Sequence, residues 1–130
     1  MSIQPVEIRC AVLDHPEAGV LRVTLRAGIE LDKTAVQDIA DAARTIVGDR
    51  PYTVLIDLRR IRSMNREARQ HVVRPETVKQ IMAVALLIES PVSRVIGNLF
   101  LGLNRAPYPT RLFTAETDAF DWLRERRAVR

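Results

Sequence analysis

The stretch from Ile81 to Phe113, IMAVALLIESPVSRVIGNLFLGLNRAPYPTRLF, limits what this chain can fold into more than any other. Met82 to Ile88 is an unbroken apolar run. It is far short of the roughly 20 residues that a membrane span needs, and it lacks the alternation of a strand with one wet face. A strand covered on both faces accounts for both facts. Ser90 and Pro91 then read as a helix start. A serine side chain there accepts a hydrogen bond from an orphan backbone N–H, and proline at the first helical position lacks only a donor that would have no partner. Val92, Val95, Ile96, Leu99 and Leu103 recur at helical spacing and predict one buried stripe, widened by Phe100. Leu101 falls on the opposite side, near Arg94. Gly102, Asn104, Pro107 and Pro109 end the helix, and Thr110 to Phe113 reads as a short returning strand. A unit of this length predicts a parallel strand pair with a right-handed crossover.

The rest of the chain can be laid out around that unit. Val6 to Asp14 predicts a strand with Val6, Ile8, Cys10 and Val12 on one face. His15 to Gly19 reads as a turn, and Val20 to Leu25 as the second arm of an antiparallel hairpin. Asp32 to Val47 is the clearest helix. Val36, Ile39, Ala40, Ala43, Ile46 and Val47 form its apolar stripe, Asp32 caps its start and Gly48 follows its end. Pro51 opens an interior strand from Tyr52 to Leu58. Asn65 caps a short helix through Arg74, with Ala68 and Val72 inward, and Glu76 to Gln80 reads as a further helical turn. Thr114 caps the last helix, with Ala119, Phe120 and Leu123 inward and Trp122 half buried. The resulting order, β-β-α-β-α-β-α-β-α, predicts a single α/β domain over residues 1–130, with a mixed, mostly parallel sheet covered by helices.

This order, with Asp57-Leu58 closing the third strand, resembles the STAS domain, the fold of sulphate-transporter tails and anti-sigma-factor antagonists. The stretch SPVSRVIGNLFLGLN from Ser90, followed by Pro109-Thr110-Arg111-Leu112-Phe113, is similar to a bacterial group of small STAS-like domains. The resemblance implies a STAS-like fold over nearly the whole chain and a regulatory role played through protein contacts. It also exposes a departure. Antagonist STAS domains carry an Asp-Ser-Ser/Thr-Gly type motif after the third strand, and a hydroxyl there is phosphorylated. Here Asn65-Arg66-Glu67-Ala68 stands in that place, and Ser63 comes two residues too early. The usual phosphoswitch is not expected.

Little else in the sequence carries chemistry. In an open parallel sheet, ligands sit beyond the carboxyl ends of the strands. The polar residues expected there are Asp57, Ser63, Asn65, Glu89, Ser90, Ser93 and Arg94. Backbone N–H groups opening the Pro91 helix, with Arg94, would suit an anion; the same residues read equally as helix caps and strand ends. Asp57 and Glu89 form a candidate acid–base pair with no accompanying nucleophile motif. His15 and His71 have no metal-ligand spacing, and neither a metal nor a cofactor is expected. Cys10, the one cysteine, reads as a small buried residue.

The formal net charge is +4, and it is local. Between Arg59 and Arg74 stand six arginines against Glu67, leaving the rest of the chain near −1. Arg59, Arg60, Arg62, Arg66 and Arg69 form a basic patch that would suit phosphates or else pair with Asp38 and Asp41 of the neighbouring helix. No aromatic lies in the patch to stack a base, which disfavours nucleic acid. Gly97, Phe100 and Leu101 are expected at a partner surface. The opening residues have no signal-peptide core, so a cytoplasmic protein is expected. These features predict a non-enzymatic STAS-like interaction module, a homodimer with a protein partner. The alternative is a binding module for a small apolar or anionic, lipid-like ligand.

Overall fold

The computed structural model describes residues 4–71, 80–102 and 108–128, with the side chains of 99–102 and 128 left aside. The expected positions of Val72, Arg74, the turn from Glu76, and Leu103 to Pro107 lie outside the described residues. The chain runs β1 (Val6–Glu7), β2 (Ala11–Glu17), β3 (Val20–Leu25), β4 (Glu30–Leu31), α1 (Lys33–Val47), β5 (Tyr52–Asp57), β6 (Ser63–Met64) and α2 (Arg66–His71). It continues through β7 (Ile81–Leu87), α3 (Pro91–Gly102), β8 (Thr110–Phe113) and α4 (Glu116–Ala128). One sheet has the order β1-β2-β3-β5-β7-β8, and β4 pairs with β6 in a separate ribbon. β1, β2 and β3 are antiparallel; β3, β5, β7 and β8 are parallel. The α/β architecture with a mostly parallel sheet is therefore as the sequence predicts.

The two faces of the sheet are covered unequally. Leu21, Val23, Val54, Leu58, Val84, Leu86 and Ile88 pack towards α1, α2 and α3 in the larger core. α1 begins where Asp32 accepts from the Ala35 N–H at 2.8 Å and ends at Gly48, whose φ of 63° is open to glycine at little cost. α2 joins α1 through His71 Nε2 and Gln37 Oε1, 2.7 Å apart. α3 comes close to the sheet at Gly97. A Cβ there would lie 2.8 Å from Leu112 Cδ2 and 3.1 Å from Ile88 Cγ2.

On the other face Val20, Leu55, Ala83, Ala85 and Leu87 meet Ala119, Trp122 and Leu123 of α4. The two alanines of β7 leave room for the indole, which also lies 5.7 Å from the Phe113 ring. Burying Leu123 and Trp122 contributes on the order of 2 kcal/mol each, whereas an exposed ion pair is worth about 0.2–1 kcal/mol. Apolar contact therefore holds α4, and its ion pairs fix how it lies. Arg22 on β3 forks onto Asp14 and reaches Glu116 Oε1 at 2.8 Å. At the other end Arg124 meets Glu17 at 2.8 Å, with Arg127 at 3.3 Å.

Four local expectations are corrected. The predicted first strand is two strands. The chain reverses at Ile8 to Cys10, where the Ile8 N–H donates to the Ala11 carbonyl at 2.9 Å. Ala11 and Leu13 face the core in consequence, with Cys10 buried at the reversal. The expected turn at His15 is strand to Glu17, because an irregularity in register between Asp14 and Glu17 absorbs Pro16. Val92 and Val95 are exposed, at 47% and 60%. Ser93, Ile96 and Gly97 face inward instead, because a glycine brings the helix closest to the sheet on its own side. Trp122 is buried rather than half buried, in the room left by the small β7 residues. Among the described residues no helix is long and apolar enough to cross a membrane.

The Glu17 anchor gives a pH signature. Hydrogen bonding from Arg124, with the charges of Arg124 and Arg127, lowers the Glu17 pKa below its ordinary 4.5. The folded state thus favours the carboxylate. Its contribution is complete above 4.5 and is lost as pH falls through the lowered folded value. Glu17→Gln is expected to flatten the acid limb of a melting-temperature-versus-pH curve. An acid limb as steep as that of the wild type would contradict this.

Candidate functional site

The carboxyl ends of the parallel strands are aligned by backbone bonds. The Leu58 N–H donates to Leu87 O, and the Ile88 N–H to Phe113 O, each at 2.9 Å. This brings Asp57, Arg59 and Glu89 to one end of the sheet. Asp57 is buried and Glu89 exposed. The Asp57 carboxylate accepts three bonds from one residue: the Arg59 N–H at 3.0 Å, Arg59 Nε at 3.1 Å and Arg59 Nη2 at 2.9 Å. The hydrogen bond to Asp57 raises the Arg59 pKa above its ordinary value, with the fields of Glu116 and Glu89 adding to it. Asp57 therefore ties the chain down as it leaves β5, and its two oxygens are engaged. Of the acid–base pair read from Asp57 and Glu89, the first is bound to a guanidinium and the second is exposed. Arg59 likewise turns away from the basic patch.

The start of α3 is closed in the same way. The Glu89 and Ser90 N–H groups donate to Ser93 Oγ at 2.8 and 2.9 Å. Ser93 Oγ donates back to Ser90 O at 3.1 Å, and the Ser93 N–H donates to Ser90 Oγ at 3.1 Å. The Arg94 N–H is engaged by Ser90 O at 2.9 Å. Four of the backbone donors here, those of Glu89, Ser90, Ser93 and Arg94, are thus taken by two serine hydroxyls and a carbonyl. Ser93 is wholly buried, while the Arg94 side chain is exposed. A serine two or three positions into a helix is ambiguous in sequence; only the geometry shows Ser93 filling the place of a ligand.

Ser63 and Asn65 lie apart from this pair, at the β4–β6 ribbon. Ser63 Oγ donates to Glu30 Oε2 at 3.0 Å. Asn65 caps α2 as expected, accepting from the Ala68 N–H at 2.9 Å, while its own N–H donates to Leu31 O at 2.9 Å. Arg60, Arg62 and Arg66 are exposed and Arg69 half-buried. Among the described residues none of these four pairs with Asp38 or Asp41, contrary to the sequence expectation. Asp41 instead accepts from Gln37 Nε2 at 2.8 Å along its own helix. Gly97 is buried against Leu112 and Ile88 rather than exposed, and the side chains of Phe100 and Leu101 lie outside the described residues.

Two features escaped the sequence. The Asp14–Arg22–Glu116 cluster joins residues 94 positions apart, and only the Asp14–Arg22 half follows once the hairpin register is known. Tyr52, a buried residue, has its pKa pushed up to about 12 by burial first, with Tyr108 adding to it. Burial also raises the Cys10 thiol, with Asp38 adding to it, so this cysteine is a poor nucleophile. No buried side-chain polar atom among the described residues lacks a hydrogen-bond partner. No group of three or more metal-ligating side chains converges among them.

Two solved structures share the fold. One is a protein of the DUF3478 family with a SpoIIAA-like fold from Shewanella loihica PV-4, 16% identical, with 87% of this chain and 91% of that one covered at a TM-score of 0.64. The other is an anti-sigma factor antagonist from Mycobacterium paratuberculosis, 20% identical, with 88% and 92% covered at a TM-score of 0.61. A protein of unknown function from Arthrobacter sp. FB24 is 30% identical over 86% of this chain and 97% of its own, with a TM-score of 0.34. The fold is thus STAS-like, as the resemblance in sequence implies. No curated protein matches the chain. Residues 15–127 match a family model described as a domain of unknown function, DUF7793.

The locked carboxylate is testable. Removing Asp57 leaves the Arg59 N–H and guanidinium without their acceptor. Asp57→Ala is expected to lower unfolding stability in urea by about 1–3 kcal/mol. Wild-type stability in that variant would mean that the carboxylate is free for other work.

Proposed function

The chain belongs to the DUF7793 family, and from that membership and the site geometry we propose that it is a regulatory module that acts through protein contacts rather than through a reaction. It works as a single domain over residues 1–130, in the cytoplasm, pairing with a second copy of itself and with a protein partner. One observation carries the reading: three polar side chains at the strand ends, Asp57, Ser93 and Asn65, are engaged in holding the fold. Asp57 binds Arg59, Ser93 closes the start of α3, and Asn65 caps α2. What these groups leave to the outside is surface. The fold shared with an anti-sigma factor antagonist supports a regulatory role, and Asn65 at the cap of α2 leaves no hydroxyl there for a phosphoswitch.

We assign the self-contact to α3. Val92 and Val95 stand exposed one turn apart, and Phe100 and Leu101 follow on the same helix above the buried Gly97. Two exposed valines are a small surface, so the pair of copies is expected to be reversible.

Native mass spectrometry of the freshly purified protein tests this. The wild type is expected as a dimer without an added mass. Val92→Asp with Val95→Asp is expected as a folded monomer by the same measurement and by circular dichroism. A dimer that survives both substitutions would remove α3 from the contact. A bound small molecule of constant mass would favour the ligand-binding alternative and contradict the proposal.

A further inference from the structure

The arginines that follow β5 divide into two groups. Arg59 is bound by Asp57. Arg60, Arg62, Arg66 and Arg69 meet no carboxylate among the described residues, although α2 packs directly on the acid-bearing α1. Their backbones are nevertheless fixed. The Gly28 N–H donates to Arg60 O and the Arg62 N–H to Ile29 O, both at 2.8 Å. The Arg69 N–H donates to Asn65 O at 3.2 Å, behind the Asn65 cap. A fixed backbone therefore carries four arginines, three exposed and Arg69 half-buried, with no carboxylate paired to them among the described residues. Uncompensated like charges held close together repel one another, and an external counter-charge relieves that repulsion without the cost of first ordering the backbone.

We propose that this face docks a carboxylate-rich segment of a protein partner. The proposal rests on the reading of the chain as a contact module and names the chemistry of its partner. Guanidinium forks match carboxylates in pairs. Arg66 and Arg69 stand three apart on α2, a spacing that Asp or Glu three or four apart on a partner helix reproduces. Nucleic acid fits less well. No aromatic side chain stands between 59 and 71 to stack on a base.

The test is fluorescence anisotropy with two labelled probes of equal charge, a glutamate-rich helical peptide and a single-stranded oligo-dT. The wild type is expected to bind the peptide more tightly than oligo-dT, and more weakly as salt rises. R60Q/R62Q/R66Q/R69Q is expected to weaken peptide binding about tenfold or more. R9Q/R50Q/R111Q/R126Q removes the same net charge elsewhere and is expected to change it by no more than about twofold. R62Q/R66Q serves as the smaller variant should the fourfold one lose its circular dichroism signal. Equal weakening in both fourfold variants, or tighter binding of oligo-dT, overturns the proposal. So does a wild type that ignores the peptide while remaining dimeric, and that result leaves the contact-module reading intact.

Discussion

A strand buried on both faces needs two covers, and β7 sets what each can be. On one side it offers Ala83 and Ala85, so α4 can lie close and sink Trp122 and Leu123 into the sheet. On the other it offers Val84, Leu86 and Ile88, which need the broader layer of α1, α2 and α3. The parallel partners β5 and β8 follow from this, because helices crossing over the covered face return the chain in the same direction. Strand ends that align across β5, β7 and β8 then place Asp57 and Glu89 together. The candidate site is thus a consequence of how the central strand is buried.

Charge plays a different part at each end of this framework. Around α4, ion pairs reach across the chain and fix the lie of a helix that is already held by apolar contact. At Asp57 a short-range fork closes the exit from β5. Between β5 and β6 and on α2, Arg60, Arg62 and Arg66 are exposed on a backbone held by hydrogen bonds. The same residue type therefore does three jobs, and its neighbours decide which. A bound Asp57 carboxylate, and a Ser93 hydroxyl that fills the donors of Glu89 and Ser90, are what support the proposed role in contact.

What could be read from the sequence was what depends on local periodicity. The apolar run of β7, the stripe of α1, the Asp32, Asn65 and Ser90 caps, and the parallel return to β8 all follow from neighbouring residues. The failures share a cause: each depended on a contact that the apolar periodicity of the chain does not encode. The alternation from Val6 to Val12 reads as one strand until the reversal at Ile8 is known. The valines of α3 read as core until Gly97 shows which side meets Leu112 and Ile88. At the site, residue types were legible but their engagement was not. Nothing local states that Arg59 turns back to Asp57, or that Ser93 occupies the donors of Glu89 and Ser90.

The backbone donors of Arg59, Glu89 and Ser90 at the strand ends are closed by the chain itself. Residue-resolved amide hydrogen exchange of the wild-type protein tests it most directly, at the N–H groups of Arg59, Glu89 and Ser90. These donate to Asp57 Oδ1 and Ser93 Oγ at 2.8–3.0 Å, so they are expected to exchange far more slowly than loop amides open to water, and added phosphate is expected to leave their rates unchanged. Rapid exchange at these three positions, slowed by phosphate, would show an open anion site and contradict the account.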